Sequence, residues 1–502
     1  MRRRFLYLCC RPIFTPKLPK FRATFVGVLA LGLCLAARGT PLTVDKAIKL
    51  ALENNQRMKV STFSPQIARA NLLAEYGRFD PELTFRRTYS EDETPGHIAP
   101  SLPRSFIQTD DYSISLDGLL PWGLSYGFGI TAKNNRSSLN GLADNYLTFG
   151  GLSVTQPLLR GFGFGAALAG VRVAKASRKI SVWQHRQVVI DTVTNVIFVF
   201  NNLQQARDNA GIARHSRDRA AQLLEENETR RRLGATSDAE VTQARARVAN
   251  REESILIFER TVRDIENQLR QLIGDTAYLV DGPPLEIATL APAPDISVDA
   301  REGVKKAFEL RPDYQAARLG IAIDRTNYDS AQNQLLPRVD FVGSYGYSGA
   351  DPNFRNARAQ VRDQDARFYS IGVLVRVPLT FTEGRGRSRS AKLTLRQSEV
   401  ELARIEQDIA LAVAAAAGQI ETAKRRVAAT RLAFELATHA LDNEQKRFKA
   451  GATSTFLVLQ QQELLSSAQN SYARALADQR RAIANYHREL GTTLIHHNII
   501  LE

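Results

Sequence analysis

The chain has 502 residues, 44% hydrophobic and 24% charged, which excludes disorder and collagen and leaves room for several domains. Its formal charge of +15 points to nucleic acid until it is divided along the chain. Residues 1–39 hold Arg2, Arg3, Arg4, Arg11, Lys17, Lys20, Arg22 and Arg38 and no acid; the rest carries 59 basic against 52 acidic residues, too even a balance for a DNA or RNA partner.

All three cysteines, Cys9, Cys10 and Cys34, also lie in those first 39 residues, so the body can hold no disulfide framework, thiolate metal site or cysteine nucleophile. A basic start, an apolar run over residues 25–37 and the small exit Ala37-Arg38-Gly39 predict a signal peptide over 1–39. Its apolar run falls short of the roughly 20 residues that span a bilayer. Cys34 is a poor lipidation site, because Leu33 precedes it.

In chain order, residues 56–78 read as a helix, followed by candidate strands near 83–89, 112–118, 124–130 and 146–155. In Leu124-Tyr126-Phe128-Ile130 the apolar residues alternate with Ser125, Gly127, Gly129 and Thr131, the period-2 pattern of a strand with unlike faces. No proline lies between Pro157 and Pro283, and residues 166–232 predict one helix on the order of 100 Å long. A second helix over 237–273 closes a hairpin around Gly234. Residues 274–295, with Pro283, Pro284, Pro292 and Pro294, read as an irregular linker.

The plan then repeats. Thr43-Val44-Asp45 matches Ser297-Val298-Asp299, Asp80-Pro81 matches Leu336-Pro337, and Gln156-Pro157-Leu158 matches Val377-Pro378-Leu379. The tip Arg232-Leu233-Gly234-Ala235-Thr236-Ser237 matches Phe448-Lys449-Ala450-Gly451-Ala452-Thr453-Ser454. A helix over 312–335, strands near 339–347 and 369–377, and a long helical hairpin complete the second half. Polar loops are expected over 90–111 and 351–367. Tyr89, Tyr112, Tyr146, Tyr345, Tyr347 and Tyr369 near strand ends suit the aromatic girdle of a membrane barrel. Two to four strands per half cannot close a barrel alone, since open edges in lipid leave backbone groups unsatisfied, so several copies must share one.

The duplication, the strands before each long helix, Gln156-Pro157-Leu158-Leu159-Arg160-Gly161-Phe162-Gly163 and the two glycine-centred tips together resemble the TolC family of outer-membrane efflux channels over residues 40–495. The resemblance implies a membrane α+β fold built from two tandem repeats: a homotrimer with one shared outer-membrane β-barrel and a long periplasmic α-helical barrel. The segments follow: 40–80 N-terminal helices, 81–157 barrel strands with an extra hairpin around Pro121-Trp122-Gly123, 158–273 helical hairpin, 274–298 equatorial linker, 299–336 helices, 337–379 strands, 380–491 helical hairpin, 492–502 tail. The function implied is the exit channel of a tripartite efflux or type I secretion system. Its partners are a periplasmic adaptor (membrane fusion protein), an inner-membrane RND, ABC or MFS pump, and outer-membrane lipid. The alternative is a soluble or surface coiled-coil scaffold, which leaves the strands and the duplication unexplained.

The tips implied for adaptor docking are Leu233, Gly234, Ala235, Ala450, Gly451 and Ala452. Each glycine can take the left-handed conformation that ends a helix, with Thr236 or Ser237 and Thr453 or Ser454 capping the next. Ser237-Asp238-Ala239-Glu240 is a capping box, expected to turn Glu240 toward the Ser237 amide. At the periplasmic entrance, the positions where the resemblance places carboxylates hold Leu457 and Gln460, with Glu240 the acid left nearby. On α-helix spacing, Leu457, Leu464, Ala468, Tyr472, Ala475, Ile483, Tyr486 and Leu490 form the expected packing stripe.

Enzyme readings fail on context. Residues 161–166 fit G-x-G-x-x-A, but Arg178, Lys179 and Ser181 stand where a dinucleotide site needs an acid, and the helix is too long for a βαβ unit. His496 and His497 are adjacent, while His97, His185, His215, His439 and His487 are scattered, so no metal pattern is read. No cofactor, metal or catalytic residue is expected. Arg385, Arg387 and Arg389 read either as lipid or substrate contacts or as a solvated helix start.

Overall fold

A computed structural model describes residues 41–94, 105–138, 141–275 and 282–500. The signal-peptide reading lies outside the described residues. The elements are α1 (Val44–Asn54), α2 (Gln56–Tyr76), β1 (Glu82–Thr94), β2 (Ser105–Leu119), β3 (Ser125–Ser137), β4 (Tyr146–Pro157), α3 (Gly163–Ala167), α4 (Ala169–Arg232), α5 (Asp238–Ile273), α6 (Ala300–Leu310), α7 (Pro312–Asn333), β5 (Arg338–Asp351), α8 (Phe354–Asp363), β6 (Ala366–Arg376), α9 (Thr382–Lys449), α10 (Thr455–Leu490) and α11 (Thr493–His496).

The duplication is visible in element lengths. α1 and α6 each have 11 residues, α5 and α10 each have 36, and α4 and α9 have 64 and 68. The side chains of Thr43 and Asp299 cap α1 and α6 at matching places, the second accepting from the Arg301 and Glu302 amides. The long helices form the middle of a wall. α4 is flanked by α2 and α5 on one side and by α7 and α10 on the other, with α9 beyond. Two shorter helices therefore lie end to end beside each long one, as their lengths require.

Three apolar clusters hold the wall. Midway along α4, Val189, Ile190, Val193, Val196, Phe200 and Leu203 are buried against Ala47 and Ile48 of α1 and Leu269 of α5. The repeat-related cluster joins Ala307 of α6 to Ile409, Val413 and Ile420 of α9 and Ile483, Tyr486 and Leu490 of α10. A third lies near the tips. The linker is partly ordered as a strap, since the Leu42 amide donates to Glu286 at 2.7 Å and its carbonyl accepts from Ala288 at 3.0 Å.

All six strands form one antiparallel sheet in the order β1-β2-β3-β4-β5-β6. The row Leu83, Leu116, Phe128, Leu152, Tyr345, Tyr369 crosses one face from edge to edge, and Phe85, Ile114 and Ile130 lie in the next row of that face. The opposite face carries Arg86, Ser113 and Thr131, and Thr84, Ser115 and Gly129. Phe85 is 70% and Phe128 59% exposed, so among the described residues no element covers the apolar face fully. Apolar out and polar in is the pattern of a membrane barrel, and strands of 11 to 15 residues are long enough for the roughly 9 to 11 that a tilted crossing needs.

Four expectations are corrected. The helix over 166–232 is broken at Leu168, separating α3 from α4. The described parts of the loop expected over 90–111 are strand, because β1 runs to Thr94 and β2 starts at Ser105, cross-strand pairing carrying polar residues that fit the pattern weakly. The loop expected over 351–367 contains α8, whose Phe354, Ala357 and Val361 at helical spacing face the sheet. There the Thr148 hydroxyl donates to the Ala357 carbonyl at 2.8 Å, and the Tyr146 and Phe354 rings lie 5.6 Å apart. In the stripe on α10, Leu464 is 51% exposed while Val458, Leu459 and Leu465 are buried, so toward the tip the packing face is shifted by one residue.

Candidate docking tips and channel entrance

The far ends of the two hairpins are built alike. Gly234 has φ +72° and Gly451 φ +75°, the left-handed turn that ends a helix. The Ala235 amide donates to Arg230 at 2.8 Å and the Ala452 amide to Arg447 at 2.9 Å, each reaching five residues back over the glycine. Space beside both glycines is open, and Leu233 is 78% exposed. Leu233, Gly234, Ala235, Ala450, Gly451 and Ala452 thus form two exposed surfaces, uncovered among the described residues.

The second half of each tip differs. Ser237 caps α5 by accepting from the Glu240 amide at 3.4 Å, but Ser454 makes no side-chain cap on α10. The reciprocal arm of the capping box is not formed. Glu240 instead accepts from the Thr236 hydroxyl, and the Thr455 hydroxyl lies 3.3 Å from the same carboxylate and 3.2 Å from Asn227 Oδ1. Glu240 therefore ties the first tip to the second, because Thr455 opens α10 beside it.

Sequence reasoning missed that the two tips are fastened together. Arg230 donates to the Phe448 carbonyl at 2.6 Å and holds its guanidinium 4.0 Å over the Phe448 ring. Glu444 pairs with Arg447 at 3.2 Å and accepts from Thr453 at 2.5 Å. Just above, Glu463 of α10 is gripped by Arg251 and lies 3.5 Å from Arg247, both on α5. Burial first, and then Arg251, lowers the pKa of the neighbouring Arg219. The only sequence signal for this network is the one-turn spacing of Arg247 and Arg251.

Leu457 and Gln460 are both exposed, one turn apart on α10, beside buried Val458 and Leu459. No carboxylate occupies either place, so nothing at these two positions can attract a cation by charge.

The turn after α10 folds the adjacent His496 and His497 back onto His487. The His487 and His496 rings stack at 4.2 Å, and His497 lies edge-on at 5.0 Å from His496. Burial first, then His496 and His497, lowers the His487 pKa to about 4. Among the described residues no group of His, Cys, Asp or Glu has the arrangement of a metal cage. The G-x-G-x-x-A run forms the junction between sheet and helix: the Gly161 amide donates to Asn333 at 2.8 Å and the Gly163 amide to the Trp122 carbonyl at 3.0 Å. Those amides are therefore engaged within the fold. At the base of the second-half strands, Arg387 pairs with Glu383 at 2.7 Å.

A lipid-type sheet continued by helices about 100 Å long defines an outer-membrane channel with a periplasmic helical part. The chain belongs to the outer membrane efflux protein family, whose profile matches residues 119–275 and 303–492. It is 25% identical over 337 residues to the pyoverdine export outer membrane protein OpmQ of Pseudomonas aeruginosa, covering 65% of this chain and 67% of that one. It is 22% identical to the outer membrane efflux protein BepC of Brucella suis, covering 70% and 74%. Among solved structures, the outer-membrane channel OprN superposes with a TM-score of 0.67 at 17% identity over 89% of each chain. The CmeC channel of Campylobacter jejuni gives 0.68 at 15% identity over 90% of this chain and 86% of its own. The protein is thus an outer-membrane efflux channel, TolC-like in fold, and the scaffold reading is set aside.

Proposed function

We propose that three copies of this chain form the exit duct of a tripartite efflux or type I secretion system. In this reading segments 81–157 and 337–379 wall a shared barrel, and 158–273 and 380–491 wall a periplasmic tunnel around the equatorial segment 274–298. A periplasmic adaptor docks on Leu233, Gly234, Ala235, Ala450, Gly451 and Ala452, and an RND, ABC or MFS pump in the inner membrane supplies the cargo. Glu240, Leu457 and Gln460 stand at the entrance.

The observation that carries the shared-barrel reading is that sheet and helical wall are open at the same two sides, the number three following the family likeness. β1 ends the sheet where α2 and α5 end the wall, and β6 ends it where α9 does. Val60, Phe63 and Ile67 of α2 are exposed on one side, and Val400, Leu411 and Leu436 of α9 on the other. A neighbouring copy covers both kinds of edge at once, which a monomer in lipid cannot do.

Mass measurement of the detergent-solubilised, unheated protein tests it: a trimer is expected, and a stable monomer overturns the reading. Crosslinking through the tips to a co-expressed periplasmic adaptor of the same organism tests the docking surface. Normal efflux with both tip glycines replaced by bulky or charged residues would refute that surface.

A further inference from the structure

The two free strands carry charges at matching positions. β1 has Glu82 as its first residue and Glu91 nine residues later; β6 has Arg376 as its last residue and Arg367 nine residues earlier. Within the chain both ends are in unfavourable company. Glu82 stands directly opposite Asp117 on β2, and Arg376 directly opposite Arg338 on β5. Like charges facing one another across strands are destabilising. Asp117 accepts from the Ser115 hydroxyl at 2.6 Å and Arg338 pairs with Asp340 at 2.5 Å, but among the described residues neither Glu82 nor Arg376 has an oppositely charged partner.

We infer that β6 of one copy pairs antiparallel with β1 of the next in the register that sets Arg376 opposite Glu82. In an antiparallel pair the numbers of opposed residues have a constant sum, so this register also sets Arg367 opposite Glu91. It places Val375 against Leu83, Val373 against Phe85 and Tyr369 against Tyr89 on the apolar face, and Ser370 against Thr88 on the polar face. Ile371 falls opposite Arg87, which already has Asp110 of β2 at 3.1 Å. A slip of one residue turns an apolar face onto a polar one. A slip of two loses at least one of the two pairings within the strands: in one direction Arg376 meets Thr84 while Arg367 meets Glu93, and in the other Arg367 meets Tyr89 while Arg376 passes the start of β1.

The seam fixes the size of the barrel. β2 and β3 are integral to the wall: β3 is paired along both sides, and the turn between them is held to the sheet-to-helix junction by the hydrogen bond from Gly163 to Trp122. The Trp122 and Phe164 rings lie 6.3 Å apart, and a Cβ on Gly123, at φ +96°, would meet the Gly161 carbonyl at 2.7 Å. Six strands per chain in three copies close a barrel of eighteen. At a strand spacing of about 4.8 Å and a tilt of about 40°, its backbone diameter is about 36 Å, against about 24 Å for the twelve strands left without β2 and β3. Cargo is then sized in the helical tunnel and at the tips rather than in the membrane. The number eighteen rests on the trimeric reading; the register of the seam does not.

The body of the chain is free of cysteine, so disulfides can map the seam. Opposed strand positions lie within bridging distance. Full-length protein carrying Thr88→Cys and Ser370→Cys, oxidised in membranes, is expected to run as a covalent trimer that reverts to monomer on reduction, while Thr88→Cys with Leu374→Cys stays monomeric. Arg376→Glu should lose the heat-labile trimer, and adding Glu82→Arg should restore it. Electron cryo-microscopy in nanodiscs should count eighteen strands. Crosslinking of the shifted pair in place of the matched one overturns the register. A trimer with twelve strands in its wall overturns the barrel size, and an assembly of another copy number sinks the trimeric reading while the crosslinks still decide the seam.

Discussion

Phe200 is fully buried at the centre of the α4 cluster, between Ile190, Val193 and Leu203. Truncating it removes both its burial and the contacts of its neighbours, so Phe200→Ala should cost about 3 to 5 kcal/mol and lower the unfolding temperature. His487 is a residue-scale sensor of acid. Its pKa of about 4 in the fold lies below the ordinary 6.5, so the fold prefers it neutral. The stability this contributes is complete above pH 6.5 and is lost as pH falls toward 4. Unfolding curves at pH 7 and pH 4.5 should therefore differ more for the wild type than for His487→Gln, and equal pH dependence would refute the assignment. Glu240 shows why residue identity alone misleads: its spacing from Ser237 fits a capping box, yet its carboxylate reaches Thr236 and Thr455. Only the folded neighbour offers that second partner.

At the scale of elements, the tips separate folding from function. Gly234→Ala forces a side chain into a left-handed backbone at φ +72°, for about 1 kcal/mol of strain, but meets nothing, since the space there is open. Trimer yield should be nearly unchanged. Gly451→Glu adds bulk and charge to the exposed turn and should abolish export, read as a fall in drug or cargo resistance, with the protein still in the outer membrane. The extended hydrogen-bonded strands around the external end and α8 show a different lesson. Polar sequence there gave no period-2 signal, and the pairing that extends β1 and β2 comes from the register already set by their apolar rows.

For the whole molecule, assembly and gating are the consequences. At the proposed entrance Leu457 and Gln460 are neutral and give a multivalent cation no ligand charge. Single-channel conductance in a planar bilayer should show no strong block by micromolar trivalent cations from the periplasmic side. Block that disappears in Glu240→Gln would place an acidic ring at the entrance after all. Tightening is expected instead from the contacts among Arg247, Arg251 and Glu463, so Glu463→Gln should raise the open probability in the same recording.

The sequence alone determined the repeat, the long helices, the glycine turns and the existence of unlike sheet faces, because each depends on local spacing that 3.6-residue and 2-residue periods make visible. The matched tips at Gly234 and Gly451 were legible for the same reason. What only the tertiary structure decided involves residues far apart in the chain: the single six-stranded sheet, the tie from Glu240 to Thr455 and the grip of Arg230 on Phe448. Such contacts are chosen by how helices of unequal length lie beside one another, and one-dimensional periodicity carries no information about which side chains of distant segments arrive at the same place.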